Sequence, residues 1–158
     1  MSSAAEQAYQ ANLALVGTEE GVGEWFEVDQ ERVNAFADAT LDHQFIHIDP
    51  ERAKATPFGG PIAHGFLTLS LLVHLDASIP KDRARFEGAV MGVNYGLDKV
   101  RFIAPVPVGS RVRARSVITN VDFKAPNALD VKRTFTVEIE GSDKPALIAE
   151  WIGRTVFG

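Results

Sequence analysis

"GFLTLSLLVHLDA", residues 65–77, decides how the rest of the chain is read. Wound at 3.6 residues per turn, Phe66, Leu67, Leu69, Leu71, Leu72, Val73 and Leu75 point all round the axis and leave no face for water. The run predicts a helix from His64 or Gly65 to about Ala77, wrapped by other structure. Thr68, Ser70 and His74 interrupt it, and its apolar part is too short to cross a bilayer. Such a helix needs a wrapper, and the residues after it read as strands.

"GAVMGVNYGLDKVRFIAPV" (88–106) is rich in Val, Tyr, Phe and Ile. "SRVRARSVITNVDF" (110–123) sets Arg111, Arg113 and Arg115 on one face and Val112, Ala114 and Ser116 on the other. "LDVKRTFTVEIE" (129–140) turns Val131, Phe135, Val137 and Ile139 one way, and "PALIAEWIGRTVF" (145–157) makes a last strand. Long neighbouring strands with short connections imply antiparallel pairing. The expectation is one α+β domain over residues 1–158, a curved antiparallel sheet wrapped around a long central helix.

Upstream, residues 1–17 read as a helical extension: 4–15 are rich in Ala, Gln and Leu, and Gly17 ends them. "EWFEV" (24–28) is a short strand. Asp29 caps a helix over about 30–40, because Val33, Phe36, Ala37 and Thr40 share one face. Asp49-Pro50 begins a helical turn to about Ala55, and "TPFGGP" (56–61) is a loop.

The 158 residues suit one core, with 46% hydrophobic and 23% charged residues. A net charge of −5 argues against a nucleic-acid binder, which needs a basic face. With no cysteine there is no disulfide framework and no thiolate metal site, compatible with the cytoplasm. "MSSAAEQAYQANLALVG" lacks a basic start and an unbroken apolar run, so neither a secretory signal nor membrane attachment is expected.

The chemistry concentrates just before the apolar helix. "LDHQFIHIDPERAKATPFGGPIAHGF" (41–66) holds three of the four histidines and two aspartates among apolar residues. Asp42 and His47 offer a carboxylate and an imidazole, two groups that move protons near neutral pH. Gly65 opens the helix, and its free N–H can hold a developing oxyanion. Taken alone, Asp42 serves equally well as a turn cap, His47 as a satisfied core histidine, and His64 as a structural residue. His43 and His47 have the i, i+4 spacing of some zinc helices. Yet "HQFIH" has Gln where that motif needs Glu, and Asp49-Pro50 interrupts the helix, so no metal is expected.

"DHQFIHIDPERA" and "FGGPIAHGFLT" together resemble the signature of the MaoC-like dehydratases, or (R)-specific enoyl-CoA hydratases. That signature reads Gly-Asp-x-Asn-Pro-x-His, followed by Phe-x-x-Pro-Ile-x-His-Gly-Met. "VNYGLDKVRFIAPVPVGSRVRA" (93–114) resembles a later family segment, so the likeness spans residues 24–157. Leu41, Gln44 and Phe45 stand where the family has Gly, Asn and Pro, a version similar to a subgroup resembling nodulation protein N.

The resemblance implies a hot-dog fold, a homodimer and a trans-2-enoyl thioester substrate carried by coenzyme A or acyl-carrier protein. It implies catalytic roles for Asp42, His47 and Gly65, and no cofactor, since the thioester is the electron sink. Gln44 would orient the water or Asp42, Phe45 would line the acyl tunnel, and His64 would complete the His-Gly pair. Lys99, Arg101 and the Arg111/Arg113/Arg115 face are candidates for the carrier's phosphates. A hot-dog thioesterase and a non-catalytic acyl-binding subunit are the rival functions.

Overall fold

The computed structural model describes residues 3–158; the first two residues of the expected N-terminal extension lie outside them. Helix α1 (Ala4–Leu13) starts at a capping box: Ser3 Oγ accepts from the Glu6 N–H, and the Glu6 carboxylate accepts from the Ser3 N–H. Short strands β1 (Glu19–Val22) and β2 (Phe26–Glu27) follow. Helix α2 (Gln30–Thr40) begins where Asp29 accepts from the Arg32 N–H, and buries Val33 and Ala37. One-turn helices α3 (Phe45–Ile48) and α4 (Pro50–Ala53) come next. Asp49, extended between them, keeps them apart; α3 begins only at Phe45, after Gln44, so His43 and His47 do not share one helix.

The long strands are β3 (Ala89–Phe102), β4 (Arg111–Lys124), β5 (Ala128–Ile139) and β6 (Leu147–Phe157). They join β1 and β2 in one antiparallel sheet of order β1–β4–β5–β6–β3, with β2 on the far end of β4. β3 is thus an edge strand, although β4 follows it in sequence. Register shifts interrupt β3 at three points and β4 at one. Such irregularities bend and twist strands.

The alternation predicted for β4 holds: Val112, Ala114 and Ser116 are buried, and the arginines between them face out. The inner face of the sheet (Val112, Ala114, Phe135, Val137, Leu147, Ala149) packs on Leu67, Leu72 and Leu75 of the central helix. Each Val, Leu or Phe side chain among them removed from water contributes about 1.5–3 kcal/mol. A second cluster sets Ala5 and Ala8 of α1 against Ile118, Val121, Leu129, Val131 and Phe157. Glu20 is buried with Arg85, Arg133 and Ser116.

The central helix differs from expectation in two ways. It is two segments, α5 (Gly65–Ser70) and α6 (Leu72–Ala77), joined at Leu71. The Leu71 N–H still bonds to Leu67 and its carbonyl to Leu75, so the axis continues through the join. Nor is it enclosed within the chain, because Phe66 and Val73 are exposed. Beside them lies the apolar edge strand, with Val90, Met91, Val93, Tyr95 and Leu97 also exposed. Apolar residues all round a helix report that every side will be covered, but not that one chain does all the covering.

Candidate active site

Asp42 owes its position to the end of α2. The helix stops at Leu41 in the left-handed conformation (φ 63°), a place that favours glycine. The turn swings the chain back so that α3 packs beside α2, with Gln30 Nε2 donating to the His47 carbonyl at 2.7 Å. One oxygen of Asp42 and one ring nitrogen each of His47 and His64 lie within 4.8 Å of one another. Two acceptors holding one water at hydrogen-bond distance stand about 4.6 Å apart, so this spacing suits a shared water.

His47 is buried, and its Nδ1–H donates to the Ile62 carbonyl at 2.6 Å. That bond leaves Nε2 with a free lone pair. Burial holds the imidazole below its ordinary pKa; the Ile62 hydrogen bond pulls upward, neighbouring His64 pulls down and Asp42 pulls up. His47 therefore stays neutral at neutral pH, as an acceptor.

His64 lies behind both residues. Its ring stacks on His47 with centroids 3.8 Å apart and a 24° tilt, and Phe36 packs against it at 4.9 Å. Its Nε2–H donates to the Asp42 carbonyl at 3.0 Å, and the same nitrogen is 4.0 Å from an Asp42 carboxylate oxygen. His64 thus ties the Asp42 loop to the start of α5 and braces the His47 ring. The stacking also speaks against a metal held by these three residues. An ion bound through a ring nitrogen lies close to that ring's plane, and the planes of two rings stacked 3.8 Å apart at 24° meet only beyond metal–ligand distance.

A cavity of about 400 Å³ lies alongside, lined by His47, Gly65, Phe66, Thr68, Phe102, Ile103 and neighbours. Gly65 is the first residue of α5, and its N–H has no acceptor among the described residues. Phe102 closes over it: a Cβ at position 65 would stand 2.9 Å from the Phe102 ring. Glycine is needed here for room.

Other expected site residues fall elsewhere. Gln44 is exposed at the start of α3 and its side chain caps nothing. Phe45 is outside the cavity lining, because it packs under the Arg52 guanidinium, 4.3 Å from the ring centroid. Lys99 and Arg101 are exposed on the edge strand and do not line the cavity; Arg101 donates to the Val100 carbonyl. Arg111, Arg113 and Arg115 face away and pair with Glu140, Glu138 and Glu19. They form a salt-bridged outer face outside the cavity lining. Phe58, Thr68 and Phe102 were missed as site residues. Phe58 and Phe102 each begin a Phe-x-x-Pro segment of the family likeness, which did not say what either would face; Thr68 carried no such signal.

Among the described residues no helix is long and apolar enough to cross a membrane. Residues 12–139 match the family described as "MaoC like domain". Nodulation protein N of Rhizobium meliloti (strain 1021) is 51% identical over 146 residues, 91% of this chain and 88% of that protein. 3-Hydroxyacyl-thioester dehydratase Z of Mycobacterium tuberculosis (strain ATCC 25618 / H37Rv) is 51% identical over 143 residues, 90% of this chain and 92% of that protein. Among solved structures, the (R)-hydratase of A. caviae involved in PHA biosynthesis superposes with a TM-score of 0.65 at 26% identity, covering 84% of this chain and 94% of that one.

Proposed function

Because the chain belongs to the MaoC-like dehydratase family, we propose that it is a hydro-lyase that adds water to a trans-2-enoyl thioester. The product is a (3R)-3-hydroxyacyl thioester, and the reverse reaction is its dehydration. What supports the reading above all is the convergence of Asp42 and His47 beside a cavity that also holds the unpaired Gly65 N–H.

One water sits between the Asp42 carboxylate and His47 Nε2. Asp42 takes a proton as the water oxygen bonds to C3, and the C2–C3 π pair moves toward the thioester. Charge collects on the carbonyl oxygen, where the Gly65 N–H meets it; one such donor is worth about 2.7–4 kcal/mol of barrier. The Asp42–His47 pair then returns a proton to C2, so one water is added overall. His64 holds the pair without meeting the substrate. No cofactor is called for.

The cavity takes the acyl end, and its apolar lining suits a hydrocarbon chain. The carrier is coenzyme A or acyl-carrier protein, and its phosphates meet Lys99 or Arg101 only if it leaves along β3. The enzyme works in the cytoplasm as a homodimer. The second copy covers Phe66, Val73 and the β3 edge, an unpaired apolar strand that otherwise invites aggregation.

Purified protein mixed with crotonyl-CoA is expected to lose the enoyl absorbance and yield the (3R)-hydroxy product. Asp42→Asn and His47→Gln should each lower kcat by 100-fold or more, on the scale of about 10²–10⁴ for a positioned acid or base. Wild-type turnover in both variants would remove these roles. Release of free thiol with no hydroxy product would make the protein a thioesterase, and binding without turnover an acyl-carrier subunit.

A further inference from the structure

Thr68 sits one turn after Gly65, 2% exposed, in the wall of the cavity that holds His47 and Gly65. Its Oγ1 is buried and meets no hydrogen-bond partner among the described residues. Buried hydroxyls are nearly always bonded to something, and one left unpaired weakens the fold. Valine fills the same space without that cost. A threonine here makes sense if its partner arrives with the ligand.

Geometry narrows what the partner is. Three residues of helix rise about 4.5 Å. Side chains lean toward the helix N-terminus, which carries the Thr68 hydroxyl back toward the Gly65 N–H. An oxygen lodged at Gly65 is therefore the polar ligand atom nearest to it. Gln44, the other side chain expected to orient reacting groups, is exposed and outside the cavity lining. The hydrocarbon part of an acyl group offers Thr68 nothing, whereas the thioester carbonyl accepts two hydrogen bonds.

We propose that Thr68 is a further catalytic residue, its Oγ–H donating to the thioester carbonyl oxygen beside the Gly65 N–H. This rests on the hydratase reading and supplies its second oxyanion donor. Thr68 makes and breaks no covalent bond; its hydrogen bond shortens as charge reaches the carbonyl oxygen and relaxes when C2 is protonated.

Thr68→Val and Thr68→Ser test it in the full-length protein with crotonyl-CoA. Thr68→Val should lower kcat roughly 100-fold, the usual loss for one oxyanion donor, with a Tm equal to or above wild type. Thr68→Ser should stay within a few-fold of wild type. The independent readout is the infrared carbonyl stretch of [1-¹³C]crotonyl-CoA bound to Asp42→Asn protein. Binding should lower its frequency, and adding Thr68→Val should cancel part of that shift. Should wild type hydrate no enoyl thioester, the function above fails, and the infrared comparison on wild type still decides the contact. An unchanged carbonyl frequency, or a Thr68→Val protein with wild-type kcat, overturns the proposal. So does a Thr68→Val protein that loses activity only in proportion to a lowered Tm, because the hydroxyl then serves the fold.

Discussion

At the scale of single residues, the site depends on two local departures from ordinary chemistry. The first is the depressed basicity of His47, whose leading cause is burial. The folded protein holds the neutral ring, while the unfolded chain protonates it near an ordinary value of about 6.5. His47 therefore contributes stability that is complete above that value and is lost as pH falls through it toward the lower folded pKa. The acid limb of kcat/KM for the free enzyme should fall below about 6.5. An NMR titration placing the His47 midpoint at or above that value would contradict this. The second departure is Leu41, 81% exposed at φ 63°. A left-handed non-glycine residue costs about 1–2 kcal/mol, partly offset by glycine's greater freedom when unfolded. Leu41→Gly should raise stability by about 0.5–1 kcal/mol in urea melts. A loss of stability would mean that the Leu41 side chain makes a contribution the backbone argument omits.

At the scale of elements, the central helix and the sheet hold each other through apolar contacts, while charge joins β1 to its neighbours. Glu20 on β1 accepts from Arg85, Arg133 and the Ser116 hydroxyl. Burial by itself raises the Glu20 pKa, but Arg133 and Arg85 reverse the effect and the carboxyl ends below its usual value. Its stabilisation is present above the unfolded carboxylate pKa and is lost as pH falls through the folded one. Removing the carboxylate strands two guanidinium groups in a dry place. Glu20→Ala should cost about 3–5 kcal/mol in chemical denaturation. A loss below 1 kcal/mol would mean that water reaches the network. Strand periodicity announced β4 and β5 because an alternating surface is a local property. Glu20 was not announced, since its partners at positions 85, 116 and 133 are distant in sequence.

For the whole molecule, the proposed dimer rests on the open face. Phe66 and Val73 on the helix, with Val93, Tyr95 and Leu97 on β3, form an apolar surface at the sheet edge. A cavity of about 230 Å³ is set into it between Leu69, Val73, Tyr95, Leu97 and Trp151. Light scattering should give the mass of two 17.2 kDa chains. Val73→Lys should yield monomers of lower Tm, because a charge in the centre of an apolar interface has no partner there. A wild-type monomer at micromolar concentration would remove the dimer.

The sequence by itself determined whatever depends on neighbours in the chain. The apolar run at 65–77, the alternation of β4 and β5, the Asp29 cap and the Asp49-Pro50 break are short-range patterns. Helix turns and strand pleats are equally short-range, so pattern and structure correspond. The family likeness added the Asp42, His47 and Gly65 positions through spacing along one loop. Only tertiary structure decided which strand became the edge, that His64 stacks on His47, and that Phe102 covers Gly65. It also turned Phe45 toward Arg52 and left the Thr68 hydroxyl buried without a partner in the wall of a cavity. Those outcomes follow from packing between segments far apart in the chain, whose relative placement no local period encodes.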